Sequence, residues 1–262
     1  MTISESGRLL SGIHTSVKGM TTFVLVPGFW LGAWAWRPVT EALRAQGHDV
    51  YPVTLTGLAE RAHLATPETD LDTHVTDVVN LLRYEDLADV VLVGHSYGGL
   101  VTTAAADRVP ERVRALAYVD TGPLPDGTAQ ADFAGPEDRA GSEKVVQEYG
   151  DGWRLPPPPW ATLAADVRHV EGEALAALAE RSVPQPWASA VQPVRLTGAW
   201  ERFPRLGILS SFTVEQTKAM AAEAPLFRHM AGDGWTYEEL PTWHWPMFSR
   251  PAELADLLNK HY

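Results

Sequence analysis

The sequence predicts an α/β protein with a mostly parallel sheet and helices on both of its faces. Short apolar runs rich in β-branched residues, which suit strands buried on both faces, recur along the chain. They alternate with longer segments in which apolar residues have helical spacing. Such alternation is typical of β-α-β units, in which a helix connects two parallel strands.

The predicted elements of the first half begin and end at recognisable signals. Gly47 ends a helix, Pro110 follows another, and Asp70 suits a helix N-cap because its side chain can accept hydrogen bonds from free main-chain amides. In chain order, we predict strand 22–26, helix 36–45, strand 49–53, helix 70–84, strand 90–93, a helix ending near Arg108 and strand 113–119.

The alternation stops between about residues 121 and 193. Two proline clusters bracket a segment near 161–181 that is rich in alanine and leucine, so we predict an inserted, mainly helical cap. The segment is too short and too interrupted by proline to form a core of its own. The sheet pattern then resumes, with strand 206–209, helix 213–224, strand 235–240 and helix 251–259. We therefore expect one domain over 21–262.

The composition excludes several kinds of binding partner and catalytic site. The net charge of -12 argues against nucleic acid or an anionic membrane as a partner, because both attract basic surfaces. The chain has no cysteine, which excludes disulfides, thiolate catalysis and cysteine-based metal sites. Residues 1–20 lack the apolar core of a secretory signal and are expected to form a flexible extension. No segment reaches the roughly 20 apolar residues of a membrane span, so we expect a cytoplasmic protein.

The histidines do not have metal-binding spacing, and no glycine-rich phosphate loop is present. We expect no cofactor and no metal. The expected partner is a small-molecule substrate, and a homodimer remains open as the assembly.

The stretch 94–98, Gly-His-Ser-Tyr-Gly, is a G-x-S-x-G motif between the predicted strand 90–93 and a helix. This context is that of a nucleophile elbow, a tight turn that holds a serine hydroxyl clear of the backbone. The motif alone also recurs by chance; its position between these two elements makes Ser96 the predicted nucleophile.

A serine hydroxyl needs a general base, and in this type of site the base comes last in the chain. His244 fits, because it follows the last predicted strand and precedes the terminal helix that Pro251 opens. The alternative is a core histidine between Trp243 and Trp245. His95 adjoins the nucleophile, but its side chain must point away from that of Ser96, so a structural role is expected.

The acid of the triad is less obvious. The turn after strand 206–209 is its commonest place, but Ser210 and Ser211 stand there and neither is a carboxylate. Asp120 ends the strand that follows the nucleophile's helix, and the carboxyl ends of parallel strands meet at one edge of the sheet. We predict that Asp120 orients His244. The alternatives are a turn-capping Asp120 and a Ser–His dyad.

An oxyanion hole needs two main-chain N–H donors. The residue after the nucleophile, Tyr97, is predicted to supply one. The loop after the first strand supplies the other, and we predict Phe29 because Gly28 lets the backbone bend toward the site.

Several segments carry a family resemblance in combination. They are 23–34 (FVLVPGFWLGAW), 55–61 (LTGLAER), 94–99 (GHSYGG), 118–120 (YVD), 184–186 (PQP), and Trp243-His244 with 249–251 (SRP). Together they resemble the α/β-hydrolase superfamily, and within it the plant methylesterase and hydroxynitrile lyase group with its bacterial relatives. The likeness runs from about residue 22 to the C-terminus and implies the α/β-hydrolase fold.

The chain departs from this group at three places. Pro27 replaces the usual histidine of the oxyanion loop, Trp243 replaces the glycine before the base, and the usual aspartate near 210–211 is absent. Hydroxynitrile lyases of the group also have a lysine close to the histidine, and none lies near His244. The resemblance therefore favours hydrolysis over lyase chemistry.

Ten tryptophans are many for this length. If the cap sits as in relatives, Trp30, Trp187 and Trp243 line the cleft, which favours a small apolar or aromatic substrate. We predict an ester hydrolase that works by Ser-His(-Asp) covalent catalysis. One alternative is an epoxide-opening tailoring enzyme of an aromatic polyketide pathway, as among the bacterial relatives. Another is a non-catalytic ligand-binding relative.

Overall fold

A computed structural model describes residues 19–160 and 172–262. Its main sheet has six strands, all of whose pairings are parallel, in the order β2-β1-β3-β4-β7-β8. A separate antiparallel pair joins β5 and β6. The strands are β1 (Thr22–Val26), β2 (Asp49–Pro52), β3 (Val90–His95), β4 (Val113–Val119), β5 (Arg154–Leu155), β6 (Gln185–Pro186), β7 (Arg205–Leu209) and β8 (Trp235–Glu239).

Helices connect the parallel strands, as the α/β prediction requires. In the described residues they are α1 (Arg37–Ala45), α2 (Leu71–Tyr84), α3 (Tyr97–Arg108), α4 (Pro136–Tyr149), α5 (Glu173–Arg181), α6 (Trp187–Val191), α7 (Val214–Glu223), α8 (Pro246–Ser249) and α9 (Pro251–His261). The Asp70 side chain accepts a hydrogen bond from the Thr73 amide, so it caps α2 as predicted. None of these helices is long and apolar enough to cross a membrane.

The alternating side chains of β1 show how the two faces are covered. Val24 and Val26 join an apolar cluster that contains the buried residues of α2 and α3. Phe23 and Leu25 point to the opposite face and join a cluster that contains α1 and α9 residues. Helices therefore cover both faces of the sheet, and the predicted fold class is confirmed.

The segment between β4 and β7 carries the elements that do not belong to the main sheet. It contains α4, α5, α6 and the small β5–β6 pair. Of the helical segment predicted near 161–181, residues 173–181 form α5, while residues 161–171 lie outside the described residues. The predicted N-terminal extension lies almost wholly outside them too.

Parallel strands place their carboxyl ends at one edge of the sheet. The loops that follow β1, β3, β4, β7 and β8 therefore converge there. Ser96 follows β3, Asp120 follows β4 and His244 lies in the loop after β8. The topology brings these residues together from distant parts of the chain.

Candidate active site

Ser96 occupies a strained turn between β3 and α3. Its backbone has φ 51° and ψ −124°, a region that residues other than glycine rarely adopt. A Cβ on Gly94 would lie 2.5 Å from the Gly98 carbonyl oxygen, and one on Gly98 would lie 2.4 Å from that of Val26. Only glycine therefore lets β3, α3 and the end of β1 approach closely enough to hold this turn.

His244 and Asp120 form a short hydrogen bond at the same edge of the sheet. Nδ1 of His244 lies 2.6 Å from Oδ2 of Asp120. The aspartate side chain has no exposed surface, whereas that of His244 is 34% exposed. Because the carboxylate accepts, Nδ1 carries the hydrogen and Nε2 of the neutral ring is free to accept a proton.

Further hydrogen bonds hold the carboxylate of Asp120. Oδ1 accepts from the main-chain amides of Ser210, at 2.9 Å, and Ser211, at 2.8 Å. Oδ2 also accepts from the Ser211 hydroxyl at 2.7 Å. Burial alone would raise the pKa of Asp120, but its hydrogen bonds with His244 and Ser211 and the charge that His244 carries when protonated outweigh burial and hold that pKa well below its usual range. The group is therefore ionised at neutral pH.

Ser96, Asp120 and His244 line one cavity of about 270 Å³. No hydrogen bond among the described residues joins Ser96 Oγ to His244, whose bonds go to Asp120 and His95. Contacts of this kind often form only when substrate is bound. The other described lining residues are Thr121, Gln130, Phe133, Ser211 and Phe212.

The loop after β1 lies directly against the nucleophile. A Cβ on Gly28 would stand 2.9 Å from Cβ of Ser96, so the main chain of this loop passes beside the serine. The rings of Phe29 and Tyr97 pack with their centroids 4.7 Å apart. Tyr97 is the first residue of α3, and a helix leaves its first amides without internal partners. The loop that carries Phe29 and the first turn of α3 thus both lie beside Ser96.

Comparison with known proteins identifies the family of the chain. Residues 23–257 match the model of the Alpha/beta hydrolase family. The chain belongs to this family.

Two relatives show which parts of the chain carry the sequence similarity. A carbendazim hydrolyzing esterase of Nocardioides sp. (strain SG-4G) is 48% identical over 101 residues, which cover 38% of this chain and 42% of that esterase. The chain thus matches less than half of that relative's length. Methylesterase 17 of Arabidopsis thaliana is 27% identical over 261 residues, or 91% of this chain and 90% of that protein.

A solved structure gives the same fold. An extracellular alpha/beta-hydrolase from a Paenibacillus species superposes with a TM-score of 0.77 at 21% identity, covering 92% of this chain and 98% of the other. That hydrolase is described as sharing structural and functional homology with tobacco salicylic acid binding protein 2. The family match thus confirms the predicted α/β-hydrolase family, the superposition confirms its fold, and a plant methylesterase is among the relatives of the chain.

Three tryptophans that were predicted to line the cleft lie elsewhere. Trp30, Trp187 and Trp243 are not among the described residues that line the cavity. Trp30 donates through its indole nitrogen to the Leu155 carbonyl, and Trp243 is 4% exposed and donates to the carbonyl of Trp245. The main-chain amide of Trp187 donates to the carbonyl of Trp153. Trp30 and Trp187 thus connect segments of the fold, and Phe133 and Phe212 supply the aromatic surface of this cavity instead.

His95 has a contact that sequence reasoning missed. Its side chain is buried, and Nε2 donates to the main-chain carbonyl oxygen of His244 at 2.7 Å. Burial, with a smaller effect of nearby His244, lowers the pKa of His95 to about 3, so the ring is neutral near pH 7. The residue before the nucleophile is therefore tied to the backbone of the base. The G-H-S sequence alone did not reveal this partner, 149 residues away.

This contact gives a prediction. His95→Leu removes the donor and should lower kcat by roughly tenfold with little change in KM, because a small displacement of a catalytic group is costly. His95→Gln should keep most of the activity, since its amide nitrogen can replace Nε2. Steady-state kinetics of both variants, with melting temperatures as a control for folding, provide the measurement. Equal kcat values for the two variants would show that the hydrogen bond does not matter.

Among the described residues, no group of three or more histidine or carboxylate side chains could hold a metal ion. A serine, an imidazole and a carboxylate that line one cavity are groups that can carry out acyl transfer through the serine hydroxyl.

Proposed function

We propose that this chain is a serine esterase that cleaves a small, neutral ester through an acyl intermediate on Ser96. The observation that carries the proposal is the 2.6 Å hydrogen bond between His244 and an ionised, fully buried Asp120, in one cavity with Ser96. A base that is oriented in this way beside a serine on a strained elbow is the arrangement that nucleophilic catalysis needs.

The reaction follows from the positions of these groups. Oγ of Ser96 attacks the ester carbonyl carbon while Nε2 of His244 takes the hydroxyl proton. Asp120 accepts the Nδ1 hydrogen bond and stabilises the imidazolium. The main-chain amides of Phe29 and Tyr97 donate to the oxyanion of the tetrahedral intermediate. The C–O bond breaks, and the leaving alkoxide receives the proton from His244.

Water then completes the cycle. His244 removes a proton from the water molecule as its oxygen attacks the acyl carbon. The second tetrahedral intermediate collapses, the carboxylic acid leaves, and Ser96 regains its proton from His244. No cofactor enters either half of the cycle.

The cavity favours a neutral substrate that carries one aromatic ring. Its described lining contains no lysine or arginine, and its one carboxylate, Asp120, is already bonded to His244. Phe133 and Phe212 offer apolar ring surface, and Gln130 and Thr121 offer hydrogen-bonding groups. Relatives named as a carbendazim hydrolyzing esterase and as methylesterases support an ester bond with a small alcohol.

The other two functions considered from the sequence gain less support. A binding protein without turnover is suggested by the lack of an acid after β7, but Asp120 supplies a carboxylate to His244 from β4. Epoxide opening is favoured by no contact of the described site and remains an alternative that the following experiment can distinguish.

Burst kinetics test the proposal. Mixing the protein with excess p-nitrophenyl butyrate should release one p-nitrophenol per chain before the steady state, because p-nitrophenolate is a good leaving group and we expect acylation of Ser96 to be faster than hydrolysis of the acyl enzyme. Mass spectrometry of acid-quenched samples should find the butyryl group on the peptide that contains Ser96. The Ser96→Ala variant should show neither the burst nor the butyryl label. Ester turnover by Ser96→Ala at the native rate, or diol formation from aryl epoxides without ester hydrolysis, would refute the proposal.

A further inference from the structure

Most of the hydrogen bonds to the Asp120 carboxylate come from the loop after the neighbouring strand, β7. β4 and β7 are adjacent parallel strands, and the Asp120 amide donates to the Ile208 carbonyl at 2.8 Å. Three hydrogen bonds to the carboxylate come from the loop after β7: two from the amides of Ser210 and Ser211 and one from the Ser211 hydroxyl. The two strand ends thus form one binding site for a carboxylate.

We propose that Ser211 is a positioning residue for the acid, Asp120. This inference depends on the proposed function, because it assigns a role relative to the Ser96–His244 reaction. Its basis is the short chain of contacts from Ser211 Oγ through Asp120 Oδ2 to His244 Nδ1.

The positioning role follows from which oxygen each donor holds. The two main-chain amides bind Oδ1, whereas the Ser211 hydroxyl binds Oδ2 at 2.7 Å, and Oδ2 is the atom that contacts His244. A hydroxyl at this point fixes the rotation of the carboxylate about its Cβ–Cγ bond. Without it, Oδ2 keeps only the imidazole as a partner.

Steady-state kinetics test the positioning role. Ser211→Ala should lower kcat roughly tenfold with KM little changed, because a hydrogen bond to a charged group in the catalytic unit is lost. Ser211→Thr keeps the hydroxyl and should restore most of the native kcat. Native kcat in Ser211→Ala, or an equal loss in both variants, would overturn this role.

The outcomes separate this inference from the proposed function. Native kcat in Ser211→Ala overturns the positioning role while the proposed function stands. Burst labelling of Ser96 in the native protein tests the proposed function separately.

Discussion

Asp120→Asn is expected to lower kcat by about 10²–10⁴-fold. The amide oxygen of the asparagine can keep the place of Oδ1, where it accepts from the amides of Ser210 and Ser211. Its NH₂ group then takes the place of Oδ2 and faces Nδ1 of His244. Because an NH₂ group donates, Nδ1 must become the acceptor and the ring proton must move to Nε2.

That tautomer is the wrong one for catalysis. With a hydrogen on Nε2, the imidazole cannot accept the proton of the Ser96 hydroxyl, while the overall geometry of the site is preserved. The loss should therefore appear in kcat, with a native-like KM and a native-like circular dichroism spectrum.

Asp138→Asn is a suitable control, because Asp138 is an exposed residue of α4 outside the cavity lining and the change in net charge is the same. It should keep native kinetics. Native kcat in Asp120→Asn would show that the His244 tautomer does not depend on this carboxylate.

Asp120 should also contribute to the pH dependence of stability. Its pKa is lower in the folded than in the unfolded protein, so the ionised carboxylate stabilises the fold at pH values above the unfolded pKa, and this contribution is lost as the pH falls through the folded pKa. The free energy of unfolding of Asp120→Asn should lack this contribution.

Gly98→Ala is expected to reduce the free energy of unfolding by on the order of 3 kcal/mol, or to prevent folding. The added Cβ would lie 2.4 Å from the Val26 carbonyl oxygen and 2.7 Å from that of Pro27. Both neighbours are main-chain atoms at the end of β1, so no side chain can rotate out of the way. The clash can be relieved only if α3 moves away from the loop that carries Phe29. Because this movement also displaces Ser96, activity should fall as well.

Gly141→Ala provides the matched control. Gly141 lies inside α4, and a Cβ there would meet no atom within 4 Å. Because alanine is the better helix former, this variant should be more stable by about 0.5–1 kcal/mol. Urea unfolding of both variants measures the two effects. Equal stability of Gly98→Ala and the native protein would mean that the elbow tolerates a methyl group and that its close packing is not required.

The main sheet is predictable from the sequence because its signals are local and strong. The strands over 22–26 and 113–119 are confirmed residue for residue, since continuous apolar runs end there at Pro27 and Asp120. Helix α4 was not predicted. Val146 is the one buried residue of this helix, and much of the rest of its sequence is charged or polar. No apolar stripe therefore marks the segment as a helix.

The site is predictable only in part, and for a physical reason. Strand-end positions can be read from the sequence, which is why Ser96, Asp120 and His244 are identifiable, and the structure brings them to one cavity. The direction of a side chain at such an edge depends on tertiary packing. The sequence therefore did not reveal that His95 would reach the carbonyl of His244, or that Phe133 and Phe212, rather than tryptophans, would line the cavity.

The hydrogen bonds of His244 have a consequence for how the chain matures. One spans 124 residues to Asp120 and the other 149 residues to His95. Contacts so remote in sequence form late, since the entropy of closing long loops must be overcome first. A partly synthesised chain that ends before β8 would contain Ser96 and Asp120 but lack His244. If the proposed function holds, a nascent chain therefore cannot hydrolyse esters until its last strand and the loop after it have been made.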